Sequence, residues 1–393
     1  MTAIPDARAR SAADTGFPEV VAEIFTDHLV HNVRALRACC KPDVRLCAPL
    51  KADAYGHGLS IVAPVLDRVG VDCAAVATLD EAVALRRTGW RRPILVLGAV
   101  LTVGAAGERT ARLEAALRHE LTLTLADAEL LADIDAAVRS AGRTLGVHIK
   151  IDSGMGRMGA PIQHAADLID AVRRCDGLRI DGIYSHFGSA ELEDTSLVDG
   201  QLAAFHQLLE RVGGLLPRDA VRHFANTSAT ILRADAHFDM VRPGLGLYGY
   251  LPAPRLAERV DLRPCLRLKS RVTLVKTLPA DHCVGYGCTF RTRRPTRLGI
   301  VPIGYHDGYV RALSNRAVIG TPFGDAPVVG RISMDQTAID VTDLPQAVCG
   351  TEVTILDPQR SRPNSVEAIA TLLGTIPYEV TCLLGPRIRR IAT

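Results

Sequence analysis

The stretch that decides the fold is Leu46-Cys47-Ala48-Pro49-Leu50-Lys51-Ala52-Asp53-Ala54-Tyr55-Gly56-His57-Gly58. Its apolar first half predicts a short buried strand, and Lys51 stands where this strand opens into a glycine-rich loop. Burial disfavours the ammonium form and lowers a lysine's pKa toward the neutral amine, which attacks carbonyl groups. Tyr55 could place a phenol beside the same site. The alternative is an ordinary lysine whose stem lies on the strand while its ammonium reaches solvent.

Strand-like runs of this kind recur from about residue 26 to residue 250, separated by segments with helical periodicity and capping signals. The eight predicted strands are Arg45–Leu50, Asp72–Ala77, Pro93–Gly98, Leu121–Ala126, Gly146–Ile151, Ile180–His186, Val221–Asn226 and Phe238–Arg242. Eight successive β-α units indicate a (β/α)8 barrel. A doubly wound open sheet is the alternative, but its G-x-G-x-x-G fingerprint is missing after the first strand.

A different pattern begins after about residue 258. Short alternating strands separated by turn residues replace the β-α repeat, and only Ser365–Leu373 is strongly helical. We therefore expect a flexible tail over residues 1–17, a barrel over residues 18–258 and a β-rich domain over residues 259–393. The predicted fold class is α/β, a TIM-type barrel followed by a mostly β C-terminal domain.

The composition is that of a globular enzyme rather than a nucleic-acid or membrane protein. The 46 basic and 43 acidic residues are spread along the chain without a long basic run, which argues against a nucleic-acid partner. No apolar run reaches the roughly twenty residues that a membrane span needs, and the first residues lack the apolar core of a signal peptide. The ten cysteines include no Cys-x-x-Cys pair, and Cys47, Cys73 and Cys283 lie in apolar runs. This pattern favours reduced cysteines acting as small hydrophobes in a cytoplasmic enzyme, and no metal site is predicted.

Chemically capable residues cluster at the carboxyl ends of the predicted strands, where barrel active sites lie. They are Lys51, Lys150, Arg157, His186, Asn226, Thr227 and Arg242. Each has a plain alternative: His186 as a core histidine, Arg242 as a rim ion-pair residue, and Thr227 with Ser228 as a helix cap. Their shared location favours a single site.

The ends of the seventh and eighth strands are where barrels commonly bind phosphate. Thr227 offers a hydroxyl there, and the Gly244 and Leu245 amides can approach an anion closely because glycine has no Cβ. Pyridoxal phosphate (PLP) needs an amine nucleophile and, opposite it, a set of groups that bind phosphate, and this predicted site offers both.

Several ordered motifs make the chain resemble the alanine racemase family, which combines a PLP-binding barrel with a β-rich C-terminal domain. Besides the opening stretch they are Gly154-Met155-Gly156-Arg157, Gly304-Tyr305-His306-Asp307-Gly308-Tyr309, Ser333-Met334-Asp335-Gln336 and Thr375-Ile376-Pro377-Tyr378-Glu379. The resemblance runs from about Glu19 to the C-terminus. It implies interconversion of L- and D-alanine, with D-alanine supplied to peptidoglycan.

The resemblance also implies roles for single residues. Lys51 would carry the cofactor and act as one base, and Tyr286, in Val284-Gly285-Tyr286-Gly287, would act as the other. The cofactor would be held by Tyr55, His186, Asn226, Thr227, Gly244, Leu245 and Tyr378, with Arg242 facing the pyridine nitrogen. The substrate carboxylate would be bound by Arg157 and the Met334 amide, and the site would be supported by Lys150, Asp335 and Arg390.

Racemisation needs a base on each face of the substrate, which explains the lysine–tyrosine pair. A free tyrosine has a pKa near 10, so Tyr286 needs cationic neighbours, and the resemblance places His186 and Arg242 there. Arginine does not readily give its proton to a pyridine nitrogen, which should limit transamination. In the family, Tyr286 and Met334 would come from a second subunit, so an active enzyme implies a homodimer.

Some positions depart from the family pattern or remain open. His306 stands where alanine is more common, Ser333 where cysteine is common, and Glu191 where aspartate is usual near the entrance. These departures bear on the size and charge of the accepted substrate. Lys150 matches a position that can carry a carbamate; a plain lysine facing Asp152 is the alternative.

The competing functions share the cofactor. A racemase acting on other amino acids would keep the same mechanism. Arg242 argues against a PLP decarboxylase, which would use an acidic partner for the pyridine nitrogen. A non-catalytic PLP carrier would be a lone barrel, without the domain that contains Tyr286.

Overall fold

The computed structural model describes residues 19–101 and 105–393, so the predicted tail over residues 1–17 lies outside the described residues. The chain divides into two compact units. One is Thr26–Arg263, and the other is Pro264–Thr393 together with the described residues up to Phe25. The boundary expected between residues 258 and 259 lies close to this division.

The first unit is a closed barrel of eight parallel strands. They are Arg45–Pro49, Cys73–Val76, Ile94–Val96, Thr122–Leu125, Leu145–Asp152, Leu178–Tyr184, Val221–His223 and Met240–Val241. Each pairs in parallel with the next, and the last pairs with the first through Met240 and Arg45, which closes the ring. Closure confirms the predicted α/β barrel and rules out the open doubly wound sheet. The short strand Ala160–Pro161 extends the edge beside Ile151–Asp152.

Helices follow the strands as the periodicity predicts. The α-helices of this unit are Thr26–Ala38, Lys51–Tyr55, Leu59–Val69, Leu79–Arg87, Ala106–Arg118, Leu131–Ser140, Ala165–Arg173, Ser196–Val212, Thr227–Leu232 and Gly244–Leu247, with 3-10 turns at Ile162–His164, Ala234–Ala236 and Pro254–Glu258. Helix Leu79–Arg87 begins at a complete capping box, in which Thr78 and Glu81 each accept from the other's backbone amide. No helix among the described residues is long and apolar enough to cross a membrane.

The second unit is mostly β, as expected, and is built on a six-stranded sheet. In spatial order its strands are Gly324–Pro327, Val318–Thr321, Glu352–Leu356, Leu266–Arg271, Val21–Ile24 and Arg389–Ala392. A second sheet contains Leu274–Leu278, Thr296–Val301 and Thr337–Asp340, and a small ribbon pairs Cys283–Val284 with Phe290–Arg291. The helices are Val366–Leu373 and Pro377–Cys382, with 3-10 turns at Tyr286–Cys288, Tyr305–Asp307 and Arg311–Leu313.

The strand Val21–Ile24 corrects one expectation. The sequence placed residues 18–258 in the barrel domain, yet this strand lies in the sheet of the second unit, between Leu266–Arg271 and Arg389–Ala392. Ala22 and Ile24 are fully buried there. The local pattern shows a half-buried strand but carries no information on partners that lie hundreds of residues away in the sequence.

Two histidines, His148 and His223, are buried inside the barrel. His148 Nδ1 lies 2.7 Å from His223 Nε2, and a Cβ at Gly182 would come within 2.7 Å of the His148 ring, so glycine leaves room for it. Burial, followed by the positive charge of Arg242, lowers the pKa of His148 to about 3. The imidazole is therefore neutral in the folded barrel.

This lowered pKa predicts acid sensitivity of the barrel. The unfolded chain protonates His148 near pH 6.5, whereas the folded barrel resists protonation, so stability present above pH 6.5 is lost as the pH falls toward 3. Between about pH 7.5 and about pH 5 we expect the free energy of unfolding to fall by about 2 kcal/mol more in the wild type than in His148→Gln. Urea titrations at the two pH values measure this difference. Equal losses in both proteins would contradict the assignment.

Candidate active site

Lys51 begins a left-handed helical turn, not the glycine-rich loop that the sequence suggested. Ala52, Asp53, Ala54 and Tyr55 have φ between 52° and 55°. Left-handed geometry costs about 1–2 kcal/mol for each such L-residue because Cβ crowds the following carbonyl. A run of this kind persists only where the surroundings hold it, and such strain concentrates at functional sites.

The surroundings of this turn supply hydrogen bonds at both ends. Glu81 Oε1 accepts the amide hydrogen of Ala52 at 2.7 Å, while its Oε2 accepts from Ala77 at 2.7 Å. At the far end Asp53 Oδ1 accepts from the Leu59 amide at 2.7 Å. The capping-box glutamate of helix Leu79–Arg87 therefore also fixes the residue that follows Lys51.

The turn carries Tyr55 inward toward the eighth strand. A Cβ at Gly244 would lie only 2.7 Å from the Tyr55 hydroxyl, so a glycine is required for this approach. The Tyr55 ring stacks on Tyr248 with 5.0 Å between centroids, and the Tyr248 hydroxyl donates to the Pro49 carbonyl at 2.9 Å. The phenol is thus fixed beside the turn that starts at Gly244.

Hydroxyl and amide donors meet at this turn. Thr227 Oγ1 accepts from the Gly246 amide at 3.1 Å, which leaves the Thr227 hydroxyl hydrogen to be donated. Ser228 Oγ is buried and has no hydrogen-bond partner among the residues that the structure describes. The Leu245 amide likewise makes no hydrogen bond to the described part of the chain. These groups together offer hydrogen bonds to an anion.

Two residues predicted to hold the cofactor, Gly244 and Asn226, make other contacts in this structure. The Gly244 amide donates to the Arg242 carbonyl at 2.9 Å, so Gly244 contributes space rather than a donor. Asn226, rather than Thr227 with Ser228, caps the helix Thr227–Leu232, because its Oδ1 accepts from the Ala229 amide at 3.1 Å.

Arg242 is buried and heads a chain of two histidines. Its Nη1 donates to His223 Nδ1 at 2.5 Å, and its Nη2 donates to the Ser185 carbonyl at 2.9 Å. A guanidinium has no lone pair to offer, so His223 Nδ1 must be the acceptor and His223 carries its hydrogen on Nε2. That hydrogen points to His148 Nδ1. Arg242 therefore determines which group donates and which accepts in both hydrogen bonds, from Arg242 to His223 and from His223 to His148.

Tyr184 packs against the same chain. Its ring stacks on His223 with 4.5 Å between centroids, and the Arg242 guanidinium lies over it at 5.2 Å. Burial raises the pKa of Tyr184 to about 12, so its hydroxyl, 2.9 Å from Thr124 Oγ1, remains protonated. Tyr184 is therefore a neutral neighbour of Arg242, and its ring faces the guanidinium charge.

His186 lies next to Arg242, as expected, but it is not a cation. Burial, and then the charges of Arg242 and Arg157, lower its pKa well below the ordinary value. The expectation that His186 and Arg242 would both supply positive charge to Tyr286 is therefore wrong for His186. A third positive charge would be too costly between two existing ones.

Lys150 is a strongly perturbed amine of the site. Burial, followed by the charges of Arg157, Arg242 and Lys51, lowers its pKa to about 8. These electrostatic effects indicate that Lys150, Arg157, Arg242 and Lys51 lie close together at one end of the barrel. Lys150 has no ion-pair partner in the part of the chain that the structure describes, and its Nζ lies 5.4 Å from the centre of the Tyr184 ring.

Asp152 is occupied with the loop that carries Arg157. Its Oδ1 accepts from the amides of Gly154 at 2.9 Å, Met155 at 2.9 Å and Gly156 at 3.1 Å. Burial opposes ionisation, but these amides outweigh it and lower the pKa of Asp152. The carboxylate therefore shapes the exposed Arg157 loop instead of pairing with Lys150.

The residues of this site fit PLP. Phosphate would meet the Tyr55 and Thr227 hydroxyls, the Leu245 amide and the orphaned Ser228 hydroxyl, and Arg242 provides a buried donor. Lys51 supplies the amine. A metal is not needed for this chemistry, and no group of three or more His, Cys, Asp or Glu in the described chain could hold one.

The second unit presents Tyr286 on a short exposed loop. The side chain is 70% exposed and lies between the paired strands Cys283–Val284 and Phe290–Arg291. Cys283 is not a reduced small hydrophobe, as the sequence suggested: it forms a disulfide with Cys288. An apolar run alone could not show that the hairpin turn brings the two Cα atoms to 4.9 Å.

Met334 lies on the neighbouring segment and is 52% exposed. Its carbonyl accepts from the His306 amide at 3.1 Å, and the Ser333 carbonyl accepts from Tyr305 at 3.0 Å. A Cβ at Gly304 would lie 2.3 Å from both carbonyl oxygens, so the two motifs can touch only through a glycine. The unusual residues His306 and Ser333 therefore adjoin the predicted carboxylate-binding amide.

Asp335 and Arg390 have structural partners. Arg387 donates to Asp307 at 2.9 Å and to Asp335 at 2.7 Å, which ties both motifs together. Arg390 donates to the carbonyls of Leu384, Gly385 and Ile388, so it holds the turn before the last strand. Tyr378 lies in the helix Pro377–Cys382 of this unit.

Sequence reasoning missed three residues that hold the barrel site. Glu81 was identified only as a helix cap, although a carboxylate with two oxygens can serve a second partner. His223 and Tyr184 lie inside predicted strands, where alternation marks them as buried but not as partners of Arg242. A polar residue at a core position was the available signal.

Comparisons with known proteins agree with this anatomy. Residues 24–252 match the family model described as alanine racemase, N-terminal domain, and residues 265–392 match the alanine racemase, C-terminal domain. Alanine racemase 2 of Oceanobacillus iheyensis is 37% identical over 94% of this chain and 92% of its own length. The alanine racemase of Symbiobacterium thermophilum is 38% identical over 94% of this chain and 96% of its own length.

Solved structures give the same result. The alanine racemase from D-cycloserine-producing Streptomyces lavendulae superposes with a TM-score of 0.88 at 34% identity, covering 96% of this chain and 97% of that one. The alanine racemase from Bartonella henselae, solved with covalently bound pyridoxal phosphate, has a TM-score of 0.83 at 29% identity, covering 95% and 99%. The chain therefore belongs to the alanine racemase family of isomerases.

Proposed function

We propose that this chain interconverts L- and D-alanine with PLP, using Lys51 and Tyr286 as opposed bases. The observation that carries the proposal is the left-handed turn, which presents Lys51 at the catalytic end of the barrel with Tyr55 beside the Gly244 turn. When bound, PLP supplies an electron sink that acidifies the α-proton of the attached amino acid.

The chain's own residues would divide the remaining work. Lys51 Nζ takes or returns the α-proton on one face, and Tyr286 Oη does so on the other. Arg157 and the Met334 amide hold the substrate carboxylate, which fixes the α-carbon between the two bases. Tyr286 would rely on Arg242 for a positive neighbour, because His186 is neutral.

Arg242 would keep its proton throughout. Its Nη atoms are committed to His223 and to the Ser185 carbonyl, and a guanidinium is not deprotonated in proteins. A ring nitrogen beside it would accept a hydrogen bond without becoming protonated, which restrains the electron sink. Return of the proton to the α-carbon is then favoured over side reactions.

The same proposal includes a homodimer in which Tyr286 and Met334 complete the partner's site. Their exposure of 70% and 52% supports this arrangement, because acid–base and binding groups need a covered site to work well. We also propose a cytoplasmic enzyme that supplies D-alanine for peptidoglycan.

A racemase of the same mechanism with a broader substrate range is the second candidate. It is favoured by His306, an exposed residue whose backbone amide donates to the Met334 carbonyl and which stands where the family more often has a small alanine. Incubation with single enantiomers of Ala, Ser, Lys and Glu, followed by chiral chromatography, distinguishes the two. We expect alanine to interconvert fastest; PLP-loaded protein that leaves alanine unchanged would disprove the main proposal.

The two bases should be separable by substitution. Tyr286→Phe removes the base on one face, so we expect solvent deuterium uptake into L-alanine to fall by at least about a hundredfold, while uptake into D-alanine continues through Lys51. Lys51→Ala should abolish both and remove the absorbance of the lysine-bound cofactor. Proton NMR in deuterium oxide measures the uptake. Unchanged exchange from both enantiomers in Tyr286→Phe would refute the two-base assignment.

Glu81 should control how Lys51 is presented. Glu81→Gln keeps the size but leaves one acceptor oxygen where two are used, so a backbone amide loses its partner. We expect a loss of about 1–3 kcal/mol in the free energy of unfolding and weaker cofactor retention. Glu129→Gln, an exposed change on the same barrel, is the control. Wild-type stability and cofactor retention in Glu81→Gln would show that the left-handed turn does not depend on the Glu81 hydrogen bonds.

Lys150 should accept carbon dioxide. With a pKa of about 8, about a quarter of its amine is neutral near pH 7.5, far more than for an ordinary lysine. Bicarbonate should therefore add the mass of one carbon dioxide, more readily as the pH rises toward 8, and Lys150→Arg should not show it. Native mass spectrometry reads this directly. A peptide map that places the added mass on another lysine would favour a plain lysine at 150.

A further inference from the structure

The Cys283–Cys288 disulfide encloses Tyr286. The bond joins residues five apart in the sequence, so it closes a small ring that contains the proposed second base. Cys283 lies on the first strand of the ribbon, paired with Arg291, and Cys288 ends the 3-10 turn that starts at Tyr286. Both cysteines are exposed in the chain.

Little else within the loop restrains Tyr286. Gly285 and Gly287 both have positive φ, at 70° and 72°, and glycine has more conformational freedom to lose than any other residue. The ribbon contains only two residue pairs. Within the turn, Cys288 donates to the Gly285 carbonyl at a long 3.4 Å.

Within the ring of residues 283–288 Val284 alone is buried, while the exposed Gly285 and Gly287 lie beside Arg331. Val284 is buried against Leu298 and Val329. On the other side, Asn315 Nδ2 donates to Thr289 Oγ1 at 3.1 Å. Tyr286 thus lies in a glycine-rich segment between the anchored residues Val284 and Thr289. The disulfide restricts the conformations open to this segment.

We propose that the Cys283–Cys288 disulfide is a positioning element for Tyr286, and that its reduction selectively slows the proton transfers made by Tyr286. This rests on the proposed role of Tyr286 as a base. Residues 283 and 288 need not touch the substrate. They act by holding the phenol where its proton transfer is productive, and a misplacement of about 1 Å can cost about a hundredfold in rate.

The chemistry requires a dithiol reductant. A thiolate of the reductant attacks one protein sulfur and forms a mixed disulfide, and its second thiol then displaces the remaining protein sulfur. The protein gains two electrons and two protons as two thiols, and the reductant leaves as its own cyclic disulfide. Oxidation by a disulfide of higher potential reverses the exchange.

The effect should be one-sided because the bases are held differently. The described hydrogen bonds of the Lys51 turn are to barrel residues such as Glu81 and Leu59. None of these depends on the bond between Cys283 and Cys288. Reduction should therefore spare the proton transfer made by Lys51 while weakening the one made by Tyr286.

The first test counts thiols in the full-length holoenzyme. Denaturing alkylation before reduction should label the eight cysteines that are free, and labelling after reduction should reach all ten. Peptide mapping should locate the additional labels at Cys283 and Cys288. Full labelling of air-equilibrated protein without reductant would overturn the proposal.

The second test measures both half-reactions. Holoenzyme is treated with dithiothreitol, or Cys283 and Cys288 are both changed to Ser, and deuterium uptake from solvent is followed for each enantiomer. We expect uptake into L-alanine to fall at least about tenfold with uptake into D-alanine within about twofold. Equal losses for both enantiomers, or no loss, would overturn the proposal.

Matched controls separate the bond from the reagent. Cys349→Ser removes an exposed free cysteine of the same unit and should behave as wild type, with the same response to dithiothreitol. The Cys283→Ser/Cys288→Ser double variant should not respond further to dithiothreitol. A further response of that variant would show that the reagent acts elsewhere and would overturn the proposal.

Hydrogen exchange separates this proposal from the function on which it rests. Reduction should speed amide exchange in the peptide covering residues 283–291, whatever Tyr286 does chemically, and unchanged exchange would overturn the positioning role. If Tyr286→Phe leaves L-alanine exchange intact, the two-base function fails instead. In that case thiol counting and amide exchange still show whether the disulfide orders the loop.

Discussion

The left-handed turn after the first barrel strand is the constraint on which the site depends. Four consecutive L-residues, Ala52 to Tyr55, adopt positive φ, and each costs about 1–2 kcal/mol relative to ordinary helical geometry. The turn has the opposite hand to an ordinary helix and directly follows the first barrel strand, so it places Lys51 at the carboxyl end of that strand and Tyr55 beside Gly244. Glu81 and Asp53 hold the two ends through short hydrogen bonds. The strain is retained because removing either carboxylate would leave the Ala52 or the Leu59 amide without the partner that holds it.

Repulsion among clustered positive charges is the second constraint, because the turn places Lys51 near other cations. Lys51, Lys150, Arg157 and Arg242 lie close enough to lower the pKa of Lys150 and of His186 together with burial. Such a cluster is expensive unless anionic groups complete it. A phosphate, a substrate carboxylate and a carbamate on Lys150 would each reduce the repulsion. The neutral histidines behind Arg242 fit the same logic, since they accept hydrogen bonds without adding charge.

The sequence was sufficient for the barrel because each strand carries its own signal in apolar runs and helix caps. It also predicted a cluster at the carboxyl ends of the parallel strands, and there the charges of Lys51, Lys150, Arg157 and Arg242 act on one another. It could not reveal the left-handed turn, because nothing in Ala52-Asp53-Ala54 favours positive φ. The second role of Glu81, the pairing of Val21–Ile24 and the bond between Cys283 and Cys288 all depend on neighbours brought together only by the fold. Tertiary partners, not local propensity, decide such features.

The two proposed bases are held by opposite physical means, and this difference explains why the second unit matters. Lys51 belongs to a turn whose hydrogen bonds are made within the barrel, so its position is set by the same core that gives the barrel its stability. Tyr286 stands 70% exposed on a two-glycine loop with a minimal ribbon beneath it. A mobile phenol would lose the orientation that makes proton transfer efficient. The loop therefore needs a restraint that does not depend on burial, and a covalent link between Cys283 and Cys288 is one that an exposed loop can carry.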